Sequence, residues 1–166
     1  LTVTDINGCK IVRSTTILQP ATAVTANILG TTNNSCFGAA SGSINADALG
    51  GTPNYTFIWS NGTTSEDLSG LSAGSYSLTA TDVFGCSATT FAIITQPTQL
   101  QATTSIVSNF NGAGISCFGA ANGIISVSAN AGIAPYTYLW STTPAQNTTT
   151  ISALSAGTYT VTVSDA

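Results

Sequence analysis

The sequence predicts an all-β protein made of tandem immunoglobulin-like β-sandwich repeats of about 80 residues arranged end to end. Three observations support this fold class: an internal repeat, short runs of alternating apolar and polar residues, and turn sequences between those runs. The repeat is clearest at residues 36–40 (CFGAA), which recur as residues 117–121, 81 positions later. Self-similarity at this spacing indicates an array of small units.

The repeat divides the chain into three parts. Residues 5–9 (DINGC) match residues 82–86 (DVFGC), 77 positions later, and Gln19-Pro20 matches Gln96-Pro97 at the same offset. We therefore expect residues 1–19 to be the C-terminal strands of a preceding repeat. Residues 20–96 are then a complete β-sandwich repeat, and residues 97–166 are a second repeat truncated before its final strand. The proline restricts φ and extends the residue before it, so the joints are expected to be short and semi-rigid.

Alternating side chains predict the strands, and glycine-containing turns predict where they end. Residues 44–48 place Ile44, Ala46 and Ala48 on one face, as a half-buried strand requires. Asn61-Gly62 predicts a hairpin with a type I′ turn. Residues 71–76 (LSAGSY) resemble the tyrosine corner of immunoglobulin-like sandwiches, in which a tyrosine bonds back to the preceding loop.

Recurring aromatic residues are the predicted core. One buried aromatic side chain covers roughly 150–250 Å², which a small repeat needs. Each aromatic occupies the same place in its repeat, which favours a structural role over stacking on carbohydrate. The predicted structural core residues are Trp59, Trp140, Tyr76, Tyr159, Tyr55 and Tyr136.

The four cysteines are predicted to form disulfides, which implies an oxidising compartment. The chain has no histidine, so neither a usual zinc site nor a thiol with a histidine base is expected. Counting chain reversals predicts a Cys36–Cys86 bridge, with Cys9 and Cys117 bonded to partners outside the fragment. The alternative pairs Cys9 with Cys36 and Cys86 with Cys117.

Few residues could carry chemistry, so no enzyme, catalytic residue, cofactor or metal site is predicted. Asp5, Asp82 and Asp165 occupy one repeat position, where an aspartate sets a turn by accepting backbone N–H bonds. Calcium binding there is left open, although a tight site needs several oxygen ligands. Glu66 and Asp67 are adjacent and point to opposite faces of a strand, which does not suit an acid/base pair.

The amino-acid composition limits the classes of partner that the chain can bind. Only 5% of residues are charged, against about 25% in an ordinary folded domain. Lys10 and Arg13 are the only basic residues, too few for nucleic acid, and no apolar run is long enough to span a membrane. The surface must instead carry hydroxyl and amide side chains, which is typical of extracellular β proteins.

Taken together, these motifs resemble the SprB-type repeat of Bacteroidota cell-surface adhesins, a family named for a gliding-motility adhesin. The resemblance rests on the pattern C-x-G-x-x-x-G, the segment GGTPxYxxxWSNG, and LSAGxY followed by D-x-x-G-C. It is close over residues 36–86 and good over residues 117–165, where residues 132–135 (GIAP) replace GGTP and the Asn-Gly turn is absent.

The resemblance implies a very long protein exported by the type IX system to the cell surface, where it acts in adhesion, gliding or filament formation. The expected partners are neighbouring repeats of the same chain, with other copies in a homopolymeric filament and surface polysaccharide as further candidates. The alternatives are a carbohydrate-binding module array and accessory repeats of a secreted hydrolase.

Overall fold

The computed structural model describes all of residues 1–166, which form thirteen strands and no helix. The all-β prediction is confirmed, whereas the immunoglobulin-like detail and the end-to-end arrangement stay predictions. The chain has no helix that is long and apolar enough to cross a membrane. The strands are β1 Thr2–Thr4, β2 Lys10–Val12, β3 Thr25–Thr32, β4 Gly42–Leu49, β5 Thr56–Trp59, β6 Leu68–Leu71, β7 Gly74–Thr81, β8 Ser87–Ile94, β9 Gln101–Ile106, β10 Gly123–Asn130, β11 Thr137–Trp140, β12 Thr150–Leu154 and β13 Val161–Ser164.

The chain forms two compact units, and the division between them does not follow the sequence repeat. The repeat boundaries after residues 19 and 96 therefore stay a prediction about sequence organisation. One unit comprises Leu1–Gly30, Asn45–Asp67 and Tyr76–Ala92, and the other comprises Thr31–Ile44, Leu68–Ser75 and Ile93–Ala166.

The first repeat, residues 20–96, contains two three-stranded sheets with the orders β3-β4-β6 and β5-β7-β8. Strand β4 alternates as its sequence predicts, with Ile44, Ala46 and Ala48 at most 3% exposed. Leu78 and Ala80 of β7 are fully buried. A half-buried strand has this pattern because successive side chains point to opposite faces of the sheet.

The second repeat, residues 97–166, contains the sheets β12-β10-β9 and β11-β13. Its core comprises Val127 from β10, Trp140 from β11, and Ile151 and Leu154 from β12, so both sheets contribute buried side chains to one cluster. Strand β10 pairs antiparallel with both β9 and β12. Two antiparallel sheets that share one core are the arrangement expected of a sandwich repeat.

Asn61-Gly62 forms the predicted tight reversal, closed by the Trp59 N–H donating to Thr63 O at 2.9 Å, but it is not a type I′ turn and the strands on its two sides do not pair with each other. Gly62 has φ of +85° and donates its N–H to Trp59 O at 2.9 Å, but Asn61 lacks the positive φ of a type I′ turn. Strand β5 pairs antiparallel with β7, while β6 pairs antiparallel with β4. The chain therefore turns back at Asn61-Gly62, and residues 63–67 then carry it to β6 in the other sheet.

Candidate functional site

The repeated aspartate is the most elaborate polar feature of the chain, and Asp82 shows it most fully. The Asp82 side chain is 5% exposed and lies in the turn between β7 and β8. Its Oδ2 accepts the N–H of Thr52 at 3.0 Å, and its Oδ1 accepts the N–H groups of Phe84 at 3.0 Å and Cys86 at 2.9 Å. The carboxylate thus ties its own turn to the loop that follows β4.

These donors lower the pKa of the Asp82 carboxyl group. The N–H of Thr52 contributes most to holding the pKa of Asp82 below its ordinary value, burial opposes it, and the N–H groups of Cys86, Phe84 and Gly85 add to it. Hydrogen bonds to the ionised form favour that form, so Asp82 is a carboxylate at neutral pH.

Gly51 allows the Asp82 carboxylate to lie close to the loop that follows β4. It has φ of +57°, and a Cβ atom placed on it would lie 2.5 Å from Val24 Cγ2 and 2.6 Å from Asp82 Oδ2. Both distances are far below van der Waals contact, so the loop accommodates no side chain at this position. In the second repeat, Gly132 takes the same role, because its Cβ would lie against Oδ2 of Asp165.

The other two copies of the aspartate also accept backbone N–H groups. Asp165 Oδ2 accepts the N–H of Ile133 at 2.8 Å. Asp5 Oδ1 accepts the N–H groups of Asn7 at 2.9 Å and Cys9 at 2.8 Å. The sequence-based interpretation of this position as a turn-setting residue agrees with these bonds.

The surroundings of the aspartate suit a structural carboxylate better than a cation ligand. The groups that point at Asp82 are N–H donors, whereas calcium requires a shell of oxygen atoms. No three side chains of the His, Cys, Asp or Glu types lie together as a metal ion would need. The arrangement neutralises one carboxylate with backbone dipoles and fixes two loops.

The predicted core aromatics lie at matching places in the two repeats. Trp59 and Trp140 are each 2% exposed, and their Nε1 atoms donate to Ser65 O and Thr148 O, both at 2.9 Å. Tyr159 donates its hydroxyl to Ser155 O at 2.9 Å, the backward bond that the tyrosine-corner resemblance predicts.

The tyrosines lie at the margin of the core. Tyr55 and Tyr136 donate their hydroxyls to Gly50 O and Ala131 O, both at 2.6 Å, so each closes the loop that precedes it. All four core tyrosines are half-buried, namely Tyr55, Tyr76, Tyr136 and Tyr159.

The predicted Cys36–Cys86 disulfide is not formed in the structure, in which all four cysteines are free and exposed. Cys86 immediately precedes β8, whereas the segment around Cys36 is bonded to residues beyond the end of β8, through Gly38 N–H to Gln96 Oε1 at 2.9 Å. The eight residues of β8 span about 27 Å, while a disulfide needs Cα atoms within about 7 Å.

The count of chain reversals treated the segment between Trp59 and Leu68 as a single hairpin turn. The chain does turn back at Asn61-Gly62, but residues 63–67 then lead into β6, which pairs with β4 and not with β5, so counting turns does not give the net direction of the chain. Neither the bridge between Cys9 and Cys36 nor that between Cys86 and Cys117 is formed in the structure.

The sequence alone did not reveal that Gly51 and Gly132 make room for the repeated carboxylate. Gly50-Gly51 was interpreted only as a turn. The repeat did contain a signal, since Gly50 becomes Ala131 in the second copy whereas Gly51 remains glycine as Gly132. Of the two positions, only the second excludes a side chain in both copies.

Comparison with known protein families gives a match to two segments of the chain. The family model described as the SprB repeat matches residues 30–64 and 114–144, so the resemblance seen in the sequence is confirmed over these two segments. They contain Cys36 and Trp59 in one copy and Cys117 and Trp140 in the other. No curated protein matches the chain.

Proposed function

We propose that this chain is a structural repeat segment of a long cell-surface adhesin or extracellular filament protein, in which the repeats act as spacer and fibre-forming units. The SprB repeat matches support this proposal, because that is a family of structural repeats and not of enzymes. The proposed location is outside the cell, after export by the type IX system, with adhesion or gliding as the process served.

One observation carries the proposal: the polar groups that recur between the copies are engaged in holding the fold. Asp82 and Asp165 accept backbone N–H bonds, and both indole N–H groups donate to backbone carbonyls. A catalytic group has to present an unengaged atom to a substrate. A spacer needs the opposite, a self-satisfied unit that can be repeated without change.

The surface suits the same role. Only 5% of residues are charged, and many exposed strand positions carry hydroxyl side chains, such as Thr103, Thr104 and Ser105 in β9. Such a surface remains hydrated without depending on salt concentration, because hydroxyl and amide groups are not screened as charges are.

Surface labelling tests the location and the role together. Antibodies raised against the purified 166-residue chain should label intact cells that express the parent protein, and external protease should remove the label. Deleting the repeats while keeping the rest of the parent should shorten the fibre or its reach from the surface. Labelling that requires permeabilised cells would contradict the proposal.

Binding of surface polysaccharide is the second candidate, favoured by one pair of aromatics. Phe37 is 51% exposed, and Phe118, its counterpart 81 residues later, is fully exposed. An exposed aromatic repeated along an array offers regularly spaced stacking surfaces. Pull-down on capsular polysaccharide tests this candidate by comparing the chain with its F37S/F118S double variant. Weaker retention of the variant supports polysaccharide binding. If both proteins are retained equally, or neither is retained, the polysaccharide role is contradicted.

A further inference from the structure

The chain enters and leaves the first repeat at opposite ends of its strands. At the entrance, just before β3 begins, Thr22 O accepts the N–H of Gly51 at 2.9 Å. At the exit, just after β8, Thr95 O accepts the N–H of Asn34 at 3.0 Å, and Asn34 lies just past the end of β3. The eight residues of β3, which span about 27 Å, therefore separate the entrance from the exit.

The end of β3 is joined directly to the segment by which the chain leaves the repeat. In addition to the bond from Asn34, the N–H of Thr95 donates to Asn33 Oδ1 at 2.9 Å. The N–H of Gly38, in the loop that follows β3, donates to Gln96 Oε1 at 2.9 Å. These three hydrogen bonds connect the entrance strand to the exit segment without the rest of the repeat between them.

Strand β3 is also held along its length by β4. Thr25, at the start of β3, donates its hydroxyl to Leu49 O at the end of β4, at 3.4 Å. A Cβ on Gly42, at the start of β4, would lie 3.3 Å from Thr32 O at the end of β3. The two strands therefore run antiparallel, with their backbone hydrogen bonds perpendicular to the strands. A pull along β3 loads these bonds together, because none of them can open before the others.

The entrance strand of the second repeat is paired in the same way and has additional hydrogen bonds. β9 pairs antiparallel with β10 along all of Gln101–Ile106. Side-chain hydroxyls add to this ladder, since Thr103 Oγ1 lies 2.9 Å from Ser128 Oγ and Ser105 Oγ lies 2.8 Å from Ser126 Oγ. All six residues of β9 are exposed, so hydrogen bonds hold this strand more than burial does.

We propose that the repeat is a tension-bearing unit, and that β3, together with the bonds from Asn33 and Asn34 to Thr95, is the part that resists extension of the chain. A force along the chain shears these bonds simultaneously, whereas a force across the strands opens them one after another. Because forced unfolding is governed by the unfolding barrier, its resistance depends on the direction of the pull and not on the free energy of unfolding alone. The inference deepens the proposed spacer role and rests on it, since a surface spacer transmits every pull on its outer end.

Pulling the same protein in two directions tests this. Handles are attached to the purified 166-residue chain, under reducing conditions, through azide-bearing side chains that replace exposed residues: Leu18 and Gln99, or Leu18 and Phe84. The first pair pulls along β3 and β8. The second pair pulls across the strands, because Phe84 lies in the turn that Asp82 ties to the loop at the entrance. At the same pulling rate, the first pair should need at least about twofold more force to unfold the repeat.

An Asn33→Ala variant tests where the resistance lies. It removes the acceptor of the Thr95 N–H and should lower the unfolding force more for the pair at positions 18 and 99 than for the pair at positions 18 and 84. The matched control is Asn61→Ala, which removes the bond from the Thr63 N–H to Asn61 Oδ1 at 3.1 Å, away from both β3 and the exit, and should show no such dependence on direction.

Two outcomes overturn the inference. One is equal unfolding force for the two handle pairs, and the other is an Asn33→Ala variant that behaves as Asn61→Ala does. Because these measurements use only the purified chain, their failure is distinct from a failure of the surface-labelling test of the proposed function.

Discussion

Replacing Gly51 by alanine tests whether the repeated carboxylate fixes the loop after β4. Gly51 has φ of +57°, and the added Cβ would lie 2.5 Å from Val24 Cγ2 and 2.6 Å from Asp82 Oδ2. The left-handed backbone alone costs an alanine about 1 kcal/mol. Forcing a methyl group into an occupied space adds about 2 kcal/mol, so the expected loss in the free energy of unfolding is about 3 kcal/mol.

Gly62 provides the matched control. It has φ of +85°, and a Cβ placed there has no atom within 4 Å. Gly62→Ala should therefore cost only the backbone term of about 1 kcal/mol. The difference of about 2 kcal/mol between the two variants measures the close packing around the carboxylate, free of the glycine effect.

Urea unfolding followed by tryptophan fluorescence measures both variants. In a Trp140→Phe background, Trp59 is the only tryptophan and reports on the first repeat alone. A difference of about 2 kcal/mol corresponds to roughly 10 °C in the thermal midpoint of a domain of this size. Equal losses in Gly51→Ala and Gly62→Ala would refute the argument that Gly51 is required by the carboxylate.

Three further predictions follow from the same contacts. The pKa of Asp82 is lowered in the folded state, so its ionised form stabilises the fold fully above the unfolded pKa near 3.9, and this stabilisation is lost as the pH falls through the folded pKa. The free energy of unfolding, measured by urea unfolding at a series of acidic pH values, should therefore fall over this range. In the Asp82→Asn variant this pH dependence should be weaker. Ile44→Ala should cost about 3 kcal/mol in urea unfolding, and Ile125→Ala clearly less, because Ile44 is 1% exposed while Ile125 is half-buried; a larger loss at Ile125 would contradict this dependence on burial. Non-reducing peptide mapping should find no Cys36–Cys86 link, and finding one would mean that β8 does not separate the two thiols.

Local chemistry explains why much of the fold could be predicted. The alternation of Ile44, Ala46 and Ala48 reappears as alternating burial because the side-chain period of a strand is a property of the strand itself. Trp59 and Trp140 are buried at the same place in each copy, as the internal repeat indicates. The repeat also identified the aspartate at Asp5, Asp82 and Asp165 as a turn-setting residue.

Strand pairing, in contrast, was decided only by the tertiary structure. Asn61-Gly62 forms a tight turn, but nothing local determines whether the strand that follows it pairs with β5 or with β4. In the structure β6 pairs with β4, so β5 and β6 belong to different sheets. The partners of the repeated carboxylate are equally non-local, since Thr52 lies 30 residues before Asp82. Sequence periodicity determines which side of a strand is buried, but the identity of its neighbour depends on how the whole chain packs.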